Sequence, residues 1–390
     1  MLMLKLAFRN IIGAGLRTWL NVAALSFAFV TIIFLQGIYN GMNDQVERAT
    51  VDAWYGGGHY RCKQYDPYDP FSLTDAHASV PPELRSMIDN RTATPILIRQ
   101  GTIYPQGRFR SILLKGIDPQ QTIIALPSSM LAADSGIIPA IIGTRMAKHT
   151  GLRKDDVITV QWRTVQGTFD AREVLITGIF KTTVQEIDND QLWIPISALQ
   201  HFTGMADEAT ILVLRQGTME FPSVHDWNLQ RPVDLLADLH AMVRMKSMGG
   251  SIFYSILLLL AMLAIFDTQV LSIWHRRKEM GTLMALGMTR TQLIGLFTLE
   301  GTFHGILAAL AGAAYGVPLL SFAARTGWAL PQSTDDFGFA FGDRIFPSYS
   351  IGLVIGTAVL VLFVTAIVSY LPTKKIATLQ PTDALRGKLS

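Results

Sequence analysis

Four stretches of this chain carry no Asp, Glu, Lys or Arg: Thr18 to Asn43, Ser247 to Phe266, Gly301 to Ala324 and Pro347 to Thr373. About 20 apolar residues in a helix cover the ~30 Å hydrocarbon layer of a bilayer. Inside that layer a segment has to satisfy its own backbone hydrogen bonds, which leaves helices and closed barrels as the spanning structures. These runs are continuous rather than alternating, so they predict helices. The third run starts earlier, near Gln292, and takes in Glu300. With 49% hydrophobic and 16% charged residues, the composition departs from that of an ordinary soluble protein. Spans are expected over 18–43, 247–274, 291–324 and 347–371.

Orientation follows from Lys and Arg in the short flanking segments. Residues 1–17 hold Lys5, Arg9 and Arg17; 275–290 hold Arg276, Arg277, Lys278 and Arg290; 372–390 hold Lys374, Lys375, Arg386 and Lys388. The loop 325–346 has only Arg325 and Arg344, beside Asp335, Asp336 and Asp343. Both termini are therefore expected in the cytoplasm, with the long segment 44–246 exported. The first span is expected to stay as an uncleaved anchor, because its apolar run exceeds the 7–15 residues of a signal-peptide core. Residues 1–17 alternate apolar and basic groups and suggest an interfacial helix on the inner leaflet, or an extension of the first span.

The exported segment is long enough for a core of its own, and its local signals mix strand and helix. Arg110 to Pro119 alternates and ends in a turn; Ile141 to Trp162 reads as helix, a stop at Gly151, a turn, then strand. Arg172 to Thr182 is a strand with Gly178 as a bulge or close contact, and Gln191 to Gly204 passes from strand through Pro195 into a short helix. Ala209 to Arg215 is a strand, and Tyr55 to Pro82, rich in Gly, Tyr, Asp and Pro, reads as loop. The fold class expected is a membrane α-helical protein with four transmembrane helices and a large α+β domain, mostly antiparallel, inserted between helices 1 and 2. Cys62 is the single cysteine, so the chain forms no disulfide within itself.

Chemical motifs are scarce. There is no GxxxxGK[ST] phosphate loop, no HExxH, no Cys/His cluster at metal-ligand spacing and no GxSxG elbow. The chain is read as non-catalytic, with no cofactor, metal site or nucleic-acid partner of its own. Two carboxylates, Asp267 and Glu300, fall roughly 12–15 Å inside the membrane at ~1.5 Å per residue. They should be protonated, paired or turned to a polar cleft. Proton coupling is one reading; a bond between helices is the other, favoured because no Lys or Arg lies within the spans. Phe34 and Ile38 in the first span, with Phe253, Leu257 and Leu260 in the second, either face lipid and neighbouring helices or line an apolar cavity.

Between the second and third spans lies HRRKEMGTLMALG, His275 to Gly287. It is too short to span and too apolar for a plain linker. Arg276, Arg277, Lys278 and Glu279 suit charges on another protein's surface, while Met280, Leu283 and Met284 at helical spacing would fill a groove. Gly281 and Gly287, the latter just after Leu286, allow close backbone approach or end the helix. The segment reads as a docking helix.

Taken together, three membrane-side motifs resemble the permease subunits of the FtsX/LolC/LolE/MacB superfamily, the type VII mechanotransmission ABC transporters. They are the opening LKLAFRNIIGAGLRTWLNVAALSFAF, the segment HRRKEMGTLMALGMTRTQLIGLFTLEG, and the tail PTKKIATLQPTDALRG. In the exported domain, GIDP, IIGTRMAKHTGLRKDDVITV and VLITGIFKTTVQEIDNDQLWIPISALQ look like the LolC/LolE arrangement in order. The resemblance implies a bacterial inner-membrane protein with a periplasmic domain. It implies a separate ABC ATPase homodimer supplying ATP and Mg, and a second permease, identical or paralogous. Its expected task is lipoprotein release from the outer leaflet, with a periplasmic chaperone or adaptor as a further partner. Export of peptides or small amphiphiles through an outer-membrane channel, and an FtsX-like scaffold regulating a cell-wall hydrolase, stay open beside it.

Overall fold

The computed structural model describes residues 16–132, 136–329 and 344–377. The expected interfacial helix 1–17 lies outside them except for its last two residues, as do most of the loop 325–346 and the tail beyond 377. The described residues divide into two compact units: the membrane-type helices fall in 16–43, 243–329 and 344–377, and the intervening domain in 44–242.

The first unit is built on four long helices: α1 (Leu16–Thr50), α5 (Ala237–His275), α7 (Arg290–Thr326) and α8 (Ile351–Ala377), with the short α6 (Arg277–Ala285) between the middle two. Each long helix holds a window apolar enough to cross a membrane. Helix α7 starts on a capping box: Gln292 N–H donates to Thr289 Oγ1 at 3.3 Å and Thr289 N–H to Gln292 Oε1 at 3.0 Å. Its small-residue face (Gly301, Gly305, Ala308, Gly312 and Gly316) is buried at helical spacing. A Cβ at Gly312 would stand 3.0 Å from Phe29 Cδ1, one at Gly316 2.8 Å from Val30 Cγ2, and one at Gly305 2.7 Å from Thr365 Oγ1. Close packing of α7 on α1 and α8 is therefore the work of this stripe. Gly316→Leu is expected to cost about 1–3 kcal/mol of overpacking, measured as a lowered unfolding midpoint of the full chain in detergent. An unchanged midpoint would show that Val30 yields freely.

The second unit is a nine-stranded sheet with helices set around it. Its strands are β1 (His59–Cys62), β2 (Ala93–Ile103), β3 (Arg110–Ile117), β4 (Ile138–Gly143), β5 (Val157–Arg163), β6 (Phe169–Phe180), β7 (Gln191–Pro195), β8 (Ile211–Leu214) and β9 (Trp227–Gln230). They run in the order β9-β1-β8-β2-β3-β7-β4-β6-β5, and β5 pairs back onto β2. Six strands thus close into a barrel, while β8, β1 and β9 extend from it. The long β2 makes both possible: Ala93 to Ile96 pair with β8, and Gly101 to Ile103 pair with β5. Pairings are antiparallel except β3 with β7 and β4 with β6. Helices α2 (Pro82–Asp89), α3 (Thr144–Thr150) and α4 (Ile196–Thr203) are the longer helices of the unit.

Period-two alternation sorts the side chains. Leu97, Ile112, Leu114, Ala140, Ile142, Val160, Val174, Ile176, Leu192 and Ile194 fill one core with α3 and α4. Their neighbours Ile96, Ile98, Ile117, Ile141 and Trp193 form a second core with Trp54, Ile211 and Val213. Trp54 comes from a π-helical turn, Val51–Tyr55, that continues α1. Lys115, on the same side of β3 as Ile117, places its Nζ 3.6 Å from the Trp54 ring centroid and 4.9 Å from that of Trp193. Burial presses this amine down to about 7, with Glu186 pulling the other way.

Several expected elements are present: β3, the α3–Gly151–β5 unit, β6, and β7 turning through Pro195 into α4. Gly178 is both things foreseen, since the β4–β6 register shifts there and a Cβ would run into Met130. Ile141 to Gly143 finish a strand rather than starting a helix, and α3 follows them. The tract 55–82 is not all loop. His59–Cys62 is a buried strand between β8 and β9, reached from the π turn through Gly56 (φ +53) and Gly58 (φ +121). The glycines that suggested a loop supply that turn, since positive φ suits residues without a Cβ.

Candidate functional site: the charged corner between two spans

Helix α5 ends at His275 and α6 begins at Arg277, so Arg276 occupies the corner with φ −97° and ψ 11°. Its guanidinium bridges two carboxylates. Nε donates to Glu279 Oε2 at 2.8 Å and Nη1 to Glu300 Oε2 at 2.7 Å, while the guanidinium carbon lies 5.0 Å from the Phe297 ring centroid. Glu300 is 6% exposed, so the pair joins a buried carboxylate on α7 to the start of α6. Glu300 is thus paired, one of the states expected of it, in a bond between helices. Arg276 lies outside the third span in sequence, and the fold back of α7 carries Glu300 to it.

The apolar side of α6 is turned inward. Met280 is 3% exposed and packs with Leu293 and Phe297, with Leu283, Met284 and Met288 around them. Met280 therefore fills a groove in its own chain and not in a partner; Leu293 and Phe297, four apart on α7, form that groove. Gly281 is buried beside it. Among the side chains that α6 and its turn leave outside are Lys278, Glu279 and Leu286, the last 80% exposed. Gly287 stands at φ +98° with nothing within 4 Å of a Cβ built on it, so it ends α6 in the left-handed turn and makes no close contact. Arg277 opens α6.

The other candidates lie apart. Asp267 is exposed on α5. Phe34 and Ile38 are half-buried on α1, Phe34 meeting Trp328 edge-on at 5.7 Å. On α5, Leu257 is half-buried while Phe253 and Leu260 are 62% and 57% exposed. Among the described residues, Leu258 and Met262 of α5 pack against the α1–α7–α8 core, and they carry no signal in the sequence that sets them apart from their apolar neighbours. Among the described residues no group of three His, Cys, Asp or Glu side chains is placed to hold a metal.

Residues 251–381 match the family model described as FtsX-like permease C-terminal. That region contains the corner and both spans that follow it. An uncharacterised ABC transporter permease of Methanocaldococcus jannaschii is 28% identical over 34% of this chain and 31% of its own length. The lipoprotein-releasing system transmembrane protein LolC of Xylella fastidiosa is 22% identical over 77% of this chain and 79% of its own. A crystal structure of the extracellular domain of the noncanonic ABC-type transporter YknZ from Gram-positive bacteria shares 14% identity over 41% of this chain and 83% of that one, at a TM-score of 0.25. Over residues 251–381 the chain is similar to the FtsX-like permease family, and the curated relatives it matches are named as ABC transporter permeases or LolC, which is consistent with the FtsX/LolC/MacB superfamily.

Proposed function

We propose that this chain is the non-catalytic membrane subunit of an ABC machine in the bacterial cytoplasmic membrane, with both termini inside and the barrel domain in the periplasm. A separate ATPase homodimer, which binds ATP and Mg, docks on the outer side of α6 and the Leu286–Gly287 turn. A second permease, identical or paralogous, completes the machine. Its work is release of lipoproteins from the outer leaflet, handed on to a periplasmic chaperone. The observation that carries this reading is the α6 corner inside the FtsX-like match: a short amphipathic helix braced on its own chain, with charge and one large apolar side chain left outside. Alignment with a LolC-named relative over 77% of the chain supports the cargo class.

The energetics fit such a task. Each buried methylene is worth about 0.8 kcal/mol, so drawing acyl chains out of a leaflet costs tens of kcal/mol before a protein cavity offsets it. Nucleotide-driven work and an apolar acceptor surface between α1 and α5 answer that cost together. The test is purification of the full chain from its host in mild detergent, with mass spectrometry of what accompanies it. An ABC ATPase with acylated lipoproteins is the expected result. An ATPase with an adaptor and outer-membrane channel would replace the cargo by peptides or amphiphiles. A cell-wall hydrolase without lipoprotein would make the chain a signalling scaffold.

A further inference from the structure

Glu300 lies about 15 Å along α7 from Arg290, at ~1.5 Å per residue, where a carboxylate is retained only with a partner. Its partner is Arg276, 24 residues earlier, which reaches it from the junction of two helices. Arg276 makes a second bond to Glu279, on the first turn of α6, and lies over Phe297, one turn before Glu300. One guanidinium thus ties three helices: it stands where α5 passes into α6, holds α6 by Glu279 and holds α7 by Glu300. A guanidinium does this better than an ammonium, because its planar fork serves two acceptors in fixed directions. Besides this bridge, α6 is held to α7 by the Met280–Leu293–Phe297 cluster and by the turn at Gly287, which has no side chain and no close neighbour. Apolar contacts resist separation but permit sliding; a charged bridge from one fork to two acceptors fixes direction as well.

We propose that Glu300 is a positioning residue: through Arg276 it fixes the angle of α6 against α7. A push on α6 is then carried into the third span instead of being absorbed at the Gly287 turn. This rests on the reading of α6 as the docking segment for an ATPase. Arg276 is consequently a brace inside this chain and not a contact for the partner, while Lys278 and Leu286 remain for docking.

The test has two arms on the full chain in lipid nanodiscs. In the first, without ATPase, spin labels at Lys278→Cys and Thr291→Cys, in a Cys62→Ala background, report the α6–α7 distance. The bridge predicts a narrow distribution that broadens equally in Glu300→Gln, Arg276→Gln and their double mutant. The swapped pair Arg276→Glu with Glu300→Arg should narrow it again. In the second arm the cognate ATPase is added. Glu300→Gln should retain ATPase association within about twofold yet lose roughly tenfold in cargo release per ATP hydrolysed, a span typical of coupling between sites. An unchanged distance distribution in Glu300→Gln overturns the proposal, as does additive broadening in the double mutant. Loss of association in Arg276→Gln with wild-type behaviour in Glu300→Gln overturns it too, since Arg276 would then serve the partner. Should no ATPase bind the wild-type chain, the docking reading fails, and the label distances still decide whether the brace exists.

Discussion

Lys115→Met is expected to stabilise the protein by roughly 3 kcal/mol at pH 7. The amine is 2% exposed, and burial lowers its pKa to about 7, against an unfolded value near 10.4. Between pH ~7 and ~10.4 the unfolded chain binds a proton at this site that the folded chain has released, so stability rises with pH across that window. Below the folded value both states are protonated and the penalty is complete. A pKa lowered that far corresponds to ~5 kcal/mol for the fully protonated amine and ~4 kcal/mol at pH 7, of which the exchange to methionine recovers the larger part. Methionine keeps the length and the contacts with Trp54 and Trp193 and removes the charge, the exchange that relieves buried ions elsewhere. Denaturant unfolding followed by tryptophan fluorescence gives the difference from wild type. It should be largest at pH 7 or below and shrink toward pH 10. A difference that does not change with pH would mean that folding leaves the Lys115 pKa at its unfolded value and that packing alone separates the variants.

Leu286→Asp should abolish partner docking while leaving the chain folded. Leu286 is the large apolar side chain left outside at the α6 turn, 80% exposed, and so it is free to enter a pocket on a partner. Anchors at the centre of an interface cost 2 kcal/mol or more when lost, about 30-fold in affinity. The expected result is loss of ATPase co-purification with an unchanged unfolding midpoint. Met280→Asp makes the contrast: Met280 is 3% exposed, so its replacement should lower stability as well as docking. Equal association of the Leu286→Asp variant and wild type would place the contact elsewhere on the chain.

Much of the fold can be read along the chain because the strongest signals are local. A charge-free run of 20 or more residues needs no tertiary information to become a helix in lipid, and the order strand, Pro195, helix is written in consecutive residues. What escapes is what depends on distant partners. Strand β1 sits in a tract that looks like loop because its glycines and tyrosines serve the turn before it and the sheet on either side. Closure of the barrel rests on three residue pairs between β2 and β5, 57 to 61 positions apart in the chain (Ile103 with Val160, Gly101 with Trp162), and no periodicity announces them.

The α6 segment shows the same division. Its helix and its end at Gly287 are legible from spacing, whereas the direction of its apolar face is not. Met280, Leu283 and Met284 fit a groove equally well whether the groove is a partner's or is made by Leu293 and Phe297. Arg276 beside Glu279 reads as a surface pair on an exposed helix. Only the return of α7 brings Glu300 within 2.7 Å and turns a surface cation into an internal one. The signal present was the carboxylate itself: an acid at that depth demands a counter-charge, and the basic cluster that opens the adjoining segment could supply it.

The closed ring of β2, β3, β7, β4, β6 and β5 bears on how this domain answers force. A sheet with two free margins can be unzipped from either side, one row of bonds at a time. A hoop has no loose end to grip, so a pull applied at any of its strands is shared around the circumference and rupture needs many bonds to break together. Among the described residues of this sheet, the place where peeling can start is β9, four residues long and followed directly by Arg231 and Pro232. Under load the domain would therefore fray at that lip and keep its drum, giving a stiff handle with one sacrificial seam.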